Sequence, residues 1–280
     1  MIVTLDEILE HEDCVFVDWS ALNLETTKGN DADKVKEILK RDNVYTIKEI
    51  TAEIRKFEKQ VMKSSDMAKS MFYMGSGNRR KEINRRAKYG PESRRYLKKQ
   101  LTEIRRISEK KELRINDLRY DLLFNMTKLI SEKANLKKDM SYQLGEHDVD
   151  KSYHSFTDEK LTATVYWNTL FCENDCCLIA EDRDFIRLLN GVTKMIGSKS
   201  FLPNNKIFRD KIKENSFRLY TKNGDKYRMT VSSDNLECYD GLNISAISRS
   251  ENKEIKKEIA LNWHQFNNYS TQPASLAYLS

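Results

Sequence analysis

The sequence predicts an α/β protein with a central parallel sheet and a long helical insertion in mid-chain. Three observations predict it. The first sixty residues alternate short apolar runs with helical spacing, the same rhythm resumes after Ser155, and residues 64–145 between them carry almost no strand signal.

Val15-Phe16-Val17 reads as a short buried strand that ends at Asp18. Lys34 to Lys40 places Val35, Ile38 and Leu39 at helical steps, and Val44 to Ile47 is a second strand. Residues 48–62 carry Ile50, Ile54, Phe57 and Val61 at steps of four, three and four, an amphipathic helix. In the insertion, Gly75-Ser76-Gly77 and Gly90-Pro91 break the helices, and Pro91 suits a first helical turn. Tyr96, Leu97, Leu101, Ile104 and Ile107 then form a narrow apolar stripe. Leu118, Leu122, Leu123, Met126, Leu129 and Ile130 form a wider one, expected to dock on the body. Gly145 to Tyr153 is a polar connector. Thr157 is expected to cap a helix carrying Leu161, Val165 and Leu170. Cys177 to Ala180 is another buried strand, Phe185 to Leu189 a short helix, and Thr193 to Ile196 a last strand. Phe217 to Thr230 alternates around Lys222-Asn223-Gly224-Asp225, a strong hairpin signal. The domain reading is a body of residues 1–63 and 146–200, an insertion of 64–145, and a C-terminal appendage of 201–280 bearing the hairpin.

With 39% hydrophobic and 33% charged residues, the chain reads as soluble and globular with a highly charged extension. No apolar run approaches the roughly 18 residues of a membrane helix, so no membrane partner is expected. The first residues lack a basic stretch and turn acidic too early for a secretory signal. Five Cys in no disulfide-rich spacing favour a cytoplasmic, reducing setting. Tyr73 to Arg114 holds 15 Lys+Arg against 5 Asp+Glu, a local +10 that leaves −4 for the rest of a +6 chain. Such asymmetry points the basic segment at a polyanion. Arg79, Arg80, Arg85, Arg86, Arg94 and Arg95 are its candidate nucleic-acid contacts, with Tyr73, Tyr89 and Tyr96 interleaved for stacking.

Four acidic stations recur: Asp18, Glu53 in the second helix, Asp158 at the head of the Thr157 helix, and Asp182 with Asp184 after a strand. A lone Asp after a strand is ordinarily a turn or cap residue. Together, acids delivered to the carboxyl ends of parallel strands can share a divalent cation, which takes hard oxygen ligands. Cys172, Cys176 and Cys177 lack the paired spacing of a zinc site and are expected to pack as small hydrophobes. Neither a phosphate loop nor a nucleophile elbow is present.

On Val15-Phe16-Val17-Asp18-Trp19-Ser20, Thr46 to Ile54, Thr157 to Ala163 and Leu178 to Phe185, the chain resembles the PIN-domain nucleases. The resemblance covers roughly residues 12–62 and 153–200. It implies a three-layer sandwich around a parallel sheet, acting mainly on RNA with Mg2+ or Mn2+. It implies metal ligation by Asp18, Asp158 and Asp182, a water-ligating or water-orienting role for Glu53, an auxiliary acid in Asp184, and a steadying hydroxyl in Ser20. Two features depart from the family: Ala180 stands where a Thr or Ser is common, and the Glu53–Asp158 gap is long. The expectation is a metal-dependent endoribonuclease. The alternatives are a non-catalytic nucleic-acid-binding scaffold of the same fold and a structure-selective DNA nuclease. RNA is the expected partner, with DNA, a homo-oligomer or an inhibitory protein left open.

Overall fold

Three consecutive parallel strand pairings form the centre of the molecule. A computed structural model describes residues 2–22, 32–61, 91–133, 156–182, 184–197 and 216–232. The elements are β1 (Ile2–Val3), α1 (Leu5–His11), β2 (Cys14–Val17), α2 (Ala32–Lys40), β3 (Val44–Tyr45), α3 (Lys48–Val61), α4 (Pro91–Lys110), α5 (Leu118–Lys133), α6 (Thr157–Phe171), β4 (Cys176–Ile179), α7 (Asp184–Gly197), β5 (Phe217–Asn223) and β6 (Lys226–Ser232). They build an α/β fold on one six-stranded sheet of order β1-β6-β5-β4-β2-β3.

The expected parallel sheet is mixed. β3, β2, β4 and β5 run parallel, whereas β6 is antiparallel to both β5 and β1. The C-terminal hairpin is therefore not an appendage, because β5 pairs with β4 from Cys176↔Phe217 to Ile179↔Tyr220. Its loop also lies one residue later than the Asn-Gly signal suggests. Asn223 pairs with Lys226, which leaves Gly224 and Asp225 as the loop, with Gly224 at φ +66°. A positive φ at the first loop position is what a two-residue hairpin asks of glycine.

β2 and β4 are buried at all four positions, which is why they read as unbroken apolar runs rather than alternating ones. Alternation still sets the faces: Cys14 and Phe16 share one side of β2, paired in register with Cys176 and Leu178. α6 lies on that side, its Tyr166 ring 4.7 Å from Phe217, the residue paired with Cys176. Each large side chain in this core contributes on the order of 1.5–3 kcal/mol. The buried cysteines Cys14, Cys176 and Cys177 pack within it.

The expected last strand, Thr193 to Ile196, is instead the end of α7, which continues unbroken from Asp184. Its apolar residues Phe185, Leu188, Leu189 and Val192 are buried at helical spacing, and Thr193 is buried beside them. Thr193 is held inside by Tyr166, whose hydroxyl also donates to the Leu189 carbonyl at 2.7 Å.

The described part of the insertion is fastened to the body. α4 packs on α2 and α3, burying Leu101 and Ile104, and α5 packs on α6 and α7 through Leu122, Leu123 and Met126. Tyr96 leaves the expected stripe and is 60% exposed. After α4, Leu113 donates to the Thr46 carbonyl and Thr46 to the Lys111 carbonyl, both at 2.9 Å. This covers the outer edge beyond β3, where an open strand would invite unwanted pairing. Asp117 accepts from Arg119 and from the Trp167 indole at 3.0 Å, tying the start of α5 to α6. No described helix is long and apolar enough to cross a membrane.

Candidate functional site

The carboxyl ends of β2 and β4 lie side by side, with Val17 paired to Ile179 and the Asp18 amide donating to the Ile179 carbonyl at 2.9 Å. Chain direction therefore places Asp18 and the Ala180-Glu181-Asp182 turn at one edge of the sheet. Ser20 links them. Its hydroxyl and its amide both donate to Asp18 Oδ2, the amide at 2.9 Å, and the same hydroxyl accepts from the Glu181 amide at 3.0 Å. Asp182 caps the entry to α7, Oδ1 accepting from the Asp184 amide at 3.0 Å. Asp184 is the half-buried first residue of that helix.

The other two acids arrive on helices. Glu49 and Glu53 stand one turn apart on α3, and Thr157 and Lys160 nearly one turn apart on α6. The pairs meet, with Thr157 Oγ1 donating to Glu53 Oε1 at 2.7 Å and Lys160 paired with Glu49. Thr157 is thus not the cap of α6. Phe156 occupies the cap position in a left-handed conformation, φ 46°, with no capping side chain, and the Thr157 hydroxyl reaches across to Glu53. The next residue, Asp158, joins the acidic group.

Electrostatics show how close the four acids are. Burial pushes the Asp18 carboxyl upward, against the Ser20 and Trp19 hydrogen bonds that favour its charge, and Asp182 raises it further. Asp158 sits well above the ordinary carboxylate range, first from burial and then from Asp18, Glu159, Asp182 and Glu53, all negative. Burial also raises Glu53, to about 7, against the Thr157 hydrogen bond; Asp18 and Glu49 add to the rise and Lys56 opposes it. Two mechanisms act together, desolvation and like-charge repulsion.

The structure brings Asp18, Glu53, Asp158 and Asp182 into one group. Arg79, Arg80, Arg85 and Arg86 lie outside the described residues, as do Tyr73 and Tyr89. Arg95 is exposed on α4, and Arg94 lies in the first turn of that helix. The roles of Thr157 and Lys160 went unread in the sequence. The signal was present as a spacing match, Glu49/Glu53 on one helix against Thr157/Lys160 on the next.

No protein-family model matches the chain, and no curated protein or solved structure matches it. Among the described residues, no three His, Cys, Asp or Glu side chains stand close enough to hold one ion. The acids are gathered at Coulombic range rather than ligating range. Their chemistry nonetheless fits a hard divalent cation, since every donor is a carboxylate oxygen and Asp18, Glu53 and Asp158 are each raised by neighbouring carboxylates.

Proposed function

We propose that this chain is a divalent-metal-dependent endoribonuclease with a PIN-like three-layer body, its site formed by Asp18, Glu53, Asp158 and Asp182. The observation that carries the reading is their convergence. Acids from two strand ends, one helix interior and one helix start meet at a single sheet edge, where burial and like charge oppose the charging of Asp18, Glu53 and Asp158. Burying like charges together destabilises the fold, so a stabilising counter-ion or a functional role is the physical reason to keep them.

Asp18, Asp158 and Asp182 would hold Mg2+ or Mn2+, with Asp184 as an auxiliary acid. When bound, the ion supplies Lewis acidity at a phosphoryl oxygen and lowers the pKa of a bound water. Ser20 fixes the Asp18 carboxylate by two hydrogen bonds to one oxygen. Thr157 occupies Glu53 Oε1, which leaves Oε2 to take a proton from the attacking water.

Matched labelled RNA and DNA, incubated with wild type and Asp182→Asn in the presence of Mn2+ or EDTA, test this reading. Cleavage of RNA by wild type with Mn2+ alone is expected. Cleavage of DNA only would make the chain a DNA nuclease. Binding without cleavage of either would make it a scaffold.

A further inference from the structure

The described residues contain a basic surface other than the arginine clusters seen in the sequence. α3 and α4 lie against each other and leave a groove of about 460 Å3 lined by Arg55, Glu58, Lys59, Lys98 and Arg105. Its one acid is engaged, since Glu58 accepts from Thr102 at 2.6 Å and from Arg105 at 3.1 Å. Arg105 also binds Glu109 at 2.6 Å, so this cation is neutralised within the wall, and Arg55 shares Glu109 at 3.1 Å. Lys59 and Lys98 are exposed.

Helical geometry connects the groove to the acidic site. On α3, Glu53, Lys56 and Lys59 follow at steps of three. Each such step rotates by about −60° around a helix of 3.6 residues per turn. The stripe therefore leaves the α6-facing side at Glu53, passes the exposed Lys56 and arrives at the groove at Lys59.

We propose that the exposed Lys98, Lys59 and Lys56 form a phosphate track that carries a nucleic-acid backbone over α3 to Glu53. The track rests on the nuclease reading of the acidic site and names how its substrate is held. Its contacts are to phosphates, so it positions the strand without selecting sequence.

The test is equilibrium binding of a short, unstructured, fluorescently labelled RNA to the full chain in EDTA, across a KCl series. Three proteins are compared: wild type, Lys56→Gln/Lys59→Gln/Lys98→Gln, and the charge-matched control Lys34→Gln/Lys226→Gln/Arg228→Gln, whose sites are also exposed. For single strands the slope of log affinity against log salt changes by about 0.7 per phosphate contact, so the track variant should flatten it by about 2. The control should stay near wild type. Equal weakening in both variants, or wild-type binding by the track variant, overturns the proposal. So does poly-glutamate displacing the RNA as well as unlabelled RNA does, which would mark an acidic-protein surface. Because EDTA reports binding alone, failure of the nuclease reading shows separately, as wild type leaving RNA and DNA uncut with Mn2+.

Discussion

Two buried carboxylates a few residues apart, Glu12 and Asp18, have opposite surroundings. Glu12 is 4% exposed and Asp18 5%, so burial alone does not distinguish them. Glu12 accepts from Arg218 at 2.9 Å and from the Tyr220 hydroxyl at 3.0 Å, and both donors lie on β5. It is a matched ion pair at the amino end of β2, and it locks the hairpin to the body. Asp18, at the carboxyl end of the same strand, has hydrogen bonds from Ser20 but faces the charge of Asp182. One strand therefore carries a satisfied structural acid at one end and a member of a repelling group at the other. The contrast gives the first a structural role and motivates the proposal that the second belongs to a cation site.

The largest expected effect tests the structural end. Arg218→Ala leaves Glu12 buried without its cation and should destabilise the fold by about 3–5 kcal/mol, nearer the lower figure because Arg218 is partly exposed. Chemical denaturation measures it, and a second change, Glu12→Gln, should recover part of the loss. If Arg218→Ala is neutral, the Glu12 pair does not anchor the hairpin.

At the functional end, the sign reverses. The folded Glu53 carboxyl is raised from 4.5 to about 7, so the folded state holds a proton that the unfolded chain has released. Metal-free stability should therefore fall as pH rises between those values, by up to about 3 kcal/mol. Glu53→Gln keeps the acceptor for Thr157 and removes the charge, so it should flatten that pH dependence. Denaturation midpoints from pH 4 to 8 read it; an unchanged slope in the variant would remove Glu53 from the repelling group.

Only one half of this contrast was legible in the residues, since nothing in the sequence paired Glu12 with Arg218. Asp18 and Asp182 announced themselves by following unbroken apolar runs, and the runs were unbroken because β2 and β4 are buried at every position. The helix carrying Glu53 was fixed by the period of Ile50, Ile54 and Phe57. What escaped was mostly decided by tertiary contacts. Strand β1 has two residues, too few for any period, although the Thr4/Glu7 capping box at the head of α1 could have been read. Thr193 to Ile196 suits a strand locally but continues the α7 helix. The hairpin was visible, but not that β5 would pair with β4, since nothing within a strand names its neighbour. Thr157 looked like a cap because Thr-Asp before an apolar run usually is one.

A smaller effect separates Thr157 from capping. Thr157→Val keeps the shape and removes the donor to Glu53, which should cost about 1 kcal/mol and push the Glu53 carboxyl further up. An NMR titration of the Glu53 carboxyl would follow the change. The smallest effect lies in the hairpin loop. Gly224→Ala meets open space but adopts φ +66°, so a loss of about 1 kcal/mol or less is expected in thermal melts, with the acidic group untouched.

The claim that the repelling acids form a cation site is tested most directly by the melting temperature of wild type and Asp158→Asn, each with and without Mn2+. A ligand that binds only the folded state raises its stability. Without metal, Asp158→Asn should melt at or above wild type, because it removes one of the mutually repelling charges. Mn2+ should raise the melting temperature of wild type clearly and that of Asp158→Asn little. Equal shifts in the two proteins, or none in wild type, would contradict the account.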